Sequence, residues 1–438
     1  MNSFQESCGI AMPPQMPQEL PALIGLLTKN VPQYCKPAVA SAVFPALAAH
    51  LHGVKFRYWD NVDHEATFMN VLIGRQSVGK GCIKKPIGLI MEDIRLRDLP
   101  NRQRESEWKQ MSFGMKRRIP RPNDICIQLL GDNLTDAAFN QRIIDANNNG
   151  ERYLYTLVDE IDALNKVTTK RTPGEVGLLI RKAFDNALMG QERVGGDAVS
   201  GIAPLRWNFN ASTTPTNAHR FLSTMVNDGT LSRLDLSTII RDEDDHTPPV
   251  MSIYDEAFAN ELKPYIEHLE AANGLILSQE STQLAIAMRE ENEERIKLYE
   301  SEAYRVLSYR ANVIAWLKGM VLYVANGCQW DESFADFIRW SMQYDLWCKM
   351  LYFGQQLETE LEEEAAMQRQ RGPQNLLNLL PDIFTREQYL NLRQNQGKGG
   401  DGESTLRSWM HRKYIVFDDN ARNFCKTDEY IHKSKLAS

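Results

Sequence analysis

The sequence lacks most of the features that mark secreted, disulfide-stapled or membrane-spanning chains. Its seven cysteines (Cys8, Cys35, Cys82, Cys126, Cys328, Cys348 and Cys425) form no C-x-x-C pair and are odd in number. Unpaired thiols in a reducing compartment are therefore expected, not a disulfide framework. No group of Cys and His has the ligand spacing of a zinc site. The H-x-H pair His50 and His52 reads as part of a helix, where such a spacing splays the two rings to different faces, so a plain helix end is expected there. No stretch reaches the ~18 uninterrupted apolar residues that a membrane span needs. The longest apolar-rich segment, Ala38 to Leu51, is short and Ala-rich and reads as a buried helix. Basic charge is also in deficit, with 50 Lys and Arg against 57 Asp and Glu and a net charge of -7. That excludes a wholly basic nucleic-acid coat but leaves room for local positive patches. The opening residues include Glu6 and no basic-then-apolar run, so the expectation is a cytoplasmic protein without a membrane partner.

What is present is an ordinary globular composition, 43% hydrophobic and 24% charged over 438 residues, enough for two or three domains. Residues 1–18 are rich in Pro, Gln and Met and read as a loose arm, followed by helices near 19–30 and 36–52. Val54–Trp59 and Ala66–Ile73 read as paired strands joined by the polar turn Asp60–Glu65. Further strands are expected at Asp124–Leu130, Tyr153–Val158, Leu205–Ala211 and Arg233–Ile240, with helices between most of them. Such alternation predicts an α/β fold, a parallel sheet with helices on both faces. The Gly-rich interval Gln191–Ala203 reads as an inserted hairpin. From Tyr254 to Gln370 the pattern is helical, ending at Gly372-Pro373. The segment 374–438 reads as three helices and a two-stranded wing, with Thr385 and Gln388 at capping-box spacing. The expected division is an N-terminal arm with helices (1–53), a nucleotide-binding core (54–245), a helical domain (246–371) and a winged-helix-like module (372–438).

The central motif is Gly74-Arg-Gln-Ser-Val-Gly79-Lys80-Gly81, a match to G-x-x-x-x-G-K between a predicted strand and a helix. Glycines let backbone N–H groups wrap a phosphate, Lys80 adds a point charge, and the helix start adds its dipole. Gly74, Ser77, Val78, Gly79, Lys80, Gly81 and Cys82 are thus the candidate ATP contacts. Gly81 stands where a Ser or Thr normally offers Mg2+ a hydroxyl; Ser77 is the substitute within the loop. The apolar strand Tyr153–Val158 runs into Asp159 and Glu160, the arrangement in which Asp159 holds Mg2+ and Glu160 deprotonates an attacking water. At the end of Leu205–Ala211, Asn210 is the candidate to position that water, beside Ser212 and Thr213; turn chemistry alone is the alternative. Arg233, ahead of the last strand, is either a finger reaching a neighbouring subunit's phosphate or a surface ion pair with Asp235 or Glu243. Arg310, inside an apolar helix, is a candidate phosphate contact or a structural ion pair. Three basic groups are candidate polymer contacts: Arg95 to Arg121; Lys166, Lys170 and Arg171; and Arg407, His411, Arg412 and Lys413. A solvated face is the alternative for the first, and protein docking for the third.

Through GRQSVGKG, LYTLVDEIDALNK, FDNALMGQERVGGD, STTPTNAHRFL and DGTLSRLDL, the chain resembles a family of P-loop ATPases from bacterial mobile elements and phages, often found beside primase domains. The resemblance spans roughly Leu20 to Val324. It implies an AAA+/helicase-like (RecA-like) P-loop NTPase core, with Lys80, Asp159, Glu160 and Arg233 in the ATPase positions, and a role in replication or mobilisation of DNA. No primase acid cluster or zinc knuckle is visible, so primer synthesis would belong to a partner. The combined expectation is an ATP- and Mg2+-dependent, helicase-like motor on single-stranded DNA, working as a homo-oligomeric ring. The alternative is a nucleotide-gated initiator or loader with little hydrolysis.

Overall fold

Five apolar segments far apart in the sequence align side by side as one all-parallel sheet. The computed structural model describes residues 12–113, 119–168, 172–192, 199–241, 247–370, 373–395, 402–419, 421–428 and 430–431. Cys8, Lys116, Arg117, Arg118, Lys170, Arg171, Glu243, Gly372 and residues 193–198 of the expected hairpin lie outside them. In chain order the first elements are helices α1 (Ala22–Thr28), α2 (Lys36–Ala42) and α3 (Phe44–Ala48). The single helix expected over 36–52 is divided because Pro45, with no N–H, cannot bond the Ser41 carbonyl one turn back. Strands β1 (Val54–Arg57), β2 (Asp63–His64) and β3 (Met69–Ile73) follow, then α4 (Lys84–Ile90), α5 (Glu92–Phe113), β4 (Leu129–Leu130), α6 (Asp136–Asn148) and β5 (Leu154–Val158). Next come α7 (Pro173–Phe184), the antiparallel hairpin β6 (Leu188–Gln191) and β7 (Gly201–Pro204), β8 (Trp207–Thr213), α8 (Pro215–Leu222), α9 (Thr230–Arg233) and β9 (Asp235–Thr238).

The sheet order is β4-β5-β8-β3-β9. Every residue of β3, β8 and β9 is buried, the signature of parallel strands covered on both faces. The chain leaving β3 travels to β4 at one edge, whereas the chain leaving β8 returns past β3 to β9 at the other. The gap between β3 and β8 is therefore a topological switch point, where open parallel sheets bind ligands at the carboxyl ends of their strands. One expectation fails here. β1 does not pair with β3, the strand expected beside it; it pairs antiparallel with the short β2 and in parallel with β10 (Gly274–Ile276). Alternation marks a strand but not its neighbour.

The remaining helices of the first compact unit, Met1–Thr359, are α10 (Glu256–Ala271), α11 (Gln279–Tyr299), α12 (Glu302–Ala325), α13 (Ser333–Lys349), a π-helical turn at Met350–Gly354 and the start of α14 (Gln355–Gln370). Helix α13 packs on β9, and α2 and α3 pack on β9, β3 and β8. A ladder of buried polar side chains crosses the sheet into these helices. The Tyr155 hydroxyl donates to Asn210 Oδ1 (2.7 Å), Asn210 Nδ2 meets Asn70 Oδ1 (3.4 Å), Asn70 Nδ2 donates to Asp235 Oδ2 (3.1 Å), and Lys318 Nζ of α12 donates to Asp235 Oδ1 (2.8 Å). A second buried pair, Lys349 with Asp345 (2.6 Å), adds a carboxylate bond to the Leu236 amide (2.8 Å). Buried charges of this kind persist only when paired and hydrogen-bonded. Among the described residues, no helix is long and apolar enough to cross a membrane.

The second unit, Glu360–Ser438, contains α15 (Pro373–Leu379), β11 (Ile383–Phe384), α16 (Arg386–Asn395), α17 (Glu403–His411), β12 (Ile415–Asp418) and β13 (Asn423–Lys426), in sheet order β11-β13-β12. Its core gathers Leu377, Phe384, Tyr389, Leu406, Trp409 and Phe424. The capping box closes as the spacing predicts: the Thr385 amide donates to Gln388 Oε1 (2.9 Å) and the Gln388 amide to Thr385 Oγ1 (3.2 Å). Gly402 begins α17 at φ +66°, where a Cβ would lie 2.7 Å from the Tyr389 ring and hydroxyl; only glycine fits.

Candidate functional site

At the carboxyl end of β3 the chain turns through Gly74–Gly81 into a 3-10 turn, Lys80–Ile83, and then α4. The Gly74 amide donates to the Thr213 carbonyl (3.0 Å), which fixes the loop's first residue to the end of β8. Ser77 and Gly79 adopt left-handed φ values of 61° and 100°. A Cβ at Gly79 would also meet Pro249 at 3.3 Å. Lys80 folds back so that its ammonium donates to the carbonyls of Gly74 (2.8 Å) and Arg75 (3.1 Å). Among the described residues, the backbone amides of Ser77, Gly79, Lys80 and Gly81 donate to no backbone or side-chain acceptor. Unpaired amides clustered on a turn are the raw material of an anion cradle. The Cys82 amide is not among them, because it donates to the Gly79 carbonyl (3.0 Å). Cys82 is buried, its thiol turned toward Cys35 and away from solvent.

The acids follow β5 at the same end of the sheet. Asp159 is 70% exposed and pairs with Lys84 at 2.8 Å. Glu160 lies near enough to Lys80 to attract its ammonium, while burial, the larger effect, pushes that ammonium below the usual lysine range. Between loop and acids stands the end of β8. There Thr213, opposite Ile73 in register, is fully buried, and its hydroxyl has no hydrogen-bond partner. A buried hydroxyl without a partner costs about 1–3 kcal/mol, and such groups call for an explanation. On the far side, Thr238 at the end of β9 donates to the Ile73 carbonyl (2.7 Å) and touches the Tyr352 hydroxyl (2.8 Å). Tyr352 belongs to the π-helical turn, a feature frequent at functional sites.

Three sequence-based candidates sit elsewhere. Asn210 lies mid-strand, opposite Leu157 and Asn70, with its amide used by Tyr155, Asn70 and the Ala42 carbonyl (2.8 Å). It is a rung of the buried ladder and does not reach the loop. Thr213, three residues further on, occupies the place assigned to Asn210. Arg233 and Arg310 lie together at the amino end of the sheet, roughly 15 Å of strand from the loop. Arg233 pairs with Asp185 at 3.0 Å, Arg310 approaches the same carboxylate at 3.8 Å, and both guanidiniums lie over the Phe184 ring, at 5.8 and 5.3 Å. Arg310 also borders a cavity of about 510 Å3 with Tyr58, Trp59 and Arg289.

Two smaller expectations change as well. His50 and His52 do not splay, because the helix has ended before them; both rings approach Glu270, at 2.8 and 3.7 Å. His50, Asp93 and Glu270 form a metal-sized cluster, yet Arg97 already takes both Glu270 oxygens, at 2.6 and 2.7 Å. The described basic residues of Arg95–Arg121 are largely neutralised within the chain: Arg95 by Glu92, Arg97 by Glu270, Arg104 by Asp124, and Arg121 by Glu105 and Asp145. They form no free basic stripe.

Sequence reasoning missed Lys84 and Tyr352. Lys84 stood one helical turn beyond Lys80, a signal that was available; nothing local marked Tyr352. No protein-family model matches the chain, and no curated protein matches it either.

Proposed function

We propose that the protein binds ATP with Mg2+ at Gly74–Gly81 and hydrolyses it to drive work on DNA. In this reading it has a P-loop NTPase core of the AAA+/RecA-like kind and serves, helicase-like, the replication or mobilisation of a bacterial mobile element or phage. One observation carries the reading. Unpaired amides and a lysine ammonium on one loop face an exposed pair of carboxylates, at the switch point of a parallel sheet.

The residues divide the work. The amides of Ser77, Gly79, Lys80 and Gly81 hold phosphate oxygens. Lys80 exchanges its two loop carbonyls for the β- and γ-phosphates. Glu160 takes the proton of the water that attacks the γ-phosphorus as the bond to the bridging oxygen breaks. Thr213 offers its unpaired hydroxyl to that water. Mg2+ supplies positive charge against the phosphates; Asp159 is the residue to hold it, with Ser77 as the loop's own hydroxyl in place of the one Gly81 lacks.

Arg233 and Arg310 point away from their own loop. In a homo-oligomeric ring they would serve a neighbour, once Asp185 releases them. In the second unit, the order helix–strand–helix–helix–wing exposes Arg407, His411, Arg412 and Lys413 on and just after α17, which fits a helix entering a DNA groove. A primase or another replication protein is the natural associate of such a motor.

Gly81 and the Lys84–Asp159 ion pair favour a second reading, a nucleotide-gated initiator or loader. Both features weaken the metal side of the site. Turnover of MgATP with and without single-stranded DNA, alongside a mass measurement in nucleotide, separates the two. DNA-stimulated hydrolysis that disappears in Lys80→Ala and Glu160→Gln supports the motor. Binding without turnover supports the gate. No thermal stabilisation by MgATP would end both.

A further inference from the structure

Behind the nucleotide loop, two cysteines from distant parts of the chain come together. Cys35 ends the 3-10 turn Gln33–Cys35 ahead of α2, and Cys82 sits in the turn that closes the loop. Both side chains are buried, at 0% and 3% exposure, and both are free thiols. Their backbones run in contact, α2 against the 3-10 turn. The Cys35 sulfur lies 3.8 Å from where a Cβ on Gly79 would stand, so it abuts the loop itself. The neighbouring Cys82 side chain is the main influence holding Cys35 below the ordinary thiol range, with burial opposing and the Arg241 guanidinium assisting. Arg241 is held nearby over the Tyr34 ring, at 5.1 Å. The Tyr254 hydroxyl beside them is buried and unpartnered. The remaining described cysteines are scattered, and Cys328 is exposed.

This arrangement has the parts of a thiol-exchange site. One thiol has a guanidinium and a second thiol beside it, and that second thiol stands ready to resolve a mixed disulfide. Buried cysteines used only for packing need neither. Disulfides in reducing compartments are usually transient and redox-sensing, and Cys82 directly follows the loop residue Gly81.

We propose that Cys35 and Cys82 form a reversible disulfide, made by exchange with small disulfides such as oxidised glutathione, that clamps the Gly74–Gly81 loop. The Cys35 thiolate attacks one sulfur of the small disulfide, forming a mixed disulfide and expelling one thiolate. Cys82 loses its proton and attacks the Cys35 sulfur, forming the Cys35–Cys82 bond and expelling the second. Two thiol protons and two electrons leave as two small thiols. A disulfide holds its sulfurs ~2.05 Å apart with Cβ atoms ~3.8 Å apart, closer than two unbonded thiols approach. The bond therefore draws the second half of the loop toward α2 and fixes the amides of Gly79, Lys80 and Gly81. The consequence for nucleotide rests on the ATP-binding reading above; the bond and the clamping do not.

The full-length chain is incubated with excess oxidised glutathione, then alkylated and mapped by mass spectrometry. The expected product is a peptide pair joined through Cys35 and Cys82, reversed by dithiothreitol. Amide hydrogen exchange over residues 76–84, without nucleotide, should slow at least fivefold on oxidation. The thermal response to MgATP should weaken, corresponding to at least a tenfold loss of affinity. Cys35→Ser should show none of these oxidant effects. Arg241→Gln, a milder change, should form the bond severalfold more slowly. Glutathione adducts at exposed Cys328 with no 35–82 linkage would overturn the proposal, as would a linkage that leaves loop exchange unchanged. A linked, clamped protein whose reduced form ignores MgATP would uphold the disulfide site and remove the nucleotide reading instead.

Discussion

The two ends of the central sheet differ in the kind of polar group they leave open. At the carboxyl end, four loop amides and the Thr213 hydroxyl lack partners, and Glu160 stands exposed. At the amino end, Arg233 and Arg310 share Asp185, and Lys318 closes on Asp235 inside the core. The same five strands thus leave backbone amides and a hydroxyl open beside exposed carboxylates at one end, and at the other pair their charged side chains, leaving only single atoms such as Arg233 Nε and the Tyr153 hydroxyl without partners among the described residues. Unfinished polar groups are costly in a fold that only has to be stable. Open amides beside an acid pair are the feature on which the proposed ATP site rests.

The comparison can be broken most sharply at Lys80. If the carboxyl end is the working end, Lys80→Ala and Glu160→Gln should each lower MgATP turnover by at least 100-fold, with unchanged melting in the absence of ligand; full activity in both would sink the contrast. At the amino side, Lys318→Met should do the reverse. It leaves Asp235 buried without its cation and should cost about 3–5 kcal/mol in urea unfolding.

A third test uses acid. Burial alone would raise the Glu105 carboxyl, but the guanidiniums of Arg142 and Arg121 hold it down at about 2. A depressed carboxyl stabilises the fold above its unfolded value near 4.5, and that contribution fades as pH falls from there toward 2. The loss should be on the order of 2–3 kcal/mol, read as a falling melting temperature, and Glu105→Gln should flatten this part of the profile. The smallest effect on stability, and the most diagnostic, is expected at Thr213. Thr213→Val removes an unpartnered hydroxyl, so the fold should be unchanged or up to about 1 kcal/mol more stable, while turnover falls roughly tenfold. Lower stability together with intact turnover would place Thr213 among ordinary core residues.

Much of this contrast was legible in the sequence, since strand, loop and acid pair are local strings. The strand feeding Gly74–Gly81, the acids after β5, the inserted hairpin and the Thr385–Gln388 box all come from short-range patterns with a physical cause. What was not legible depends on register or on distant partners. Asn210 and Thr213 share one strand, and only pairing with Ile73 and Leu157 decides which of them reaches the edge. Arg97 looked like part of a basic run because its partner, Glu270, lies 173 residues away. His50 and His52 converge on that same carboxylate after the helix ends, which periodicity cannot foresee. The pairing of β1 with β10 spans more than two hundred residues and left no local trace.

The ladder from Tyr155 to Lys318 also sets how the chain can be cut. Asp235 lies within the segment that motifs alone would isolate as a catalytic fragment, but its counter-ion arrives 83 residues later, on α12. A fragment ending near residue 245 would strand a carboxylate in the middle of its own hydrophobic interior. Recombinant pieces designed from the motifs should therefore aggregate, and the shortest well-behaved piece should extend through α13, whose Lys349 and Asp345 complete the wiring.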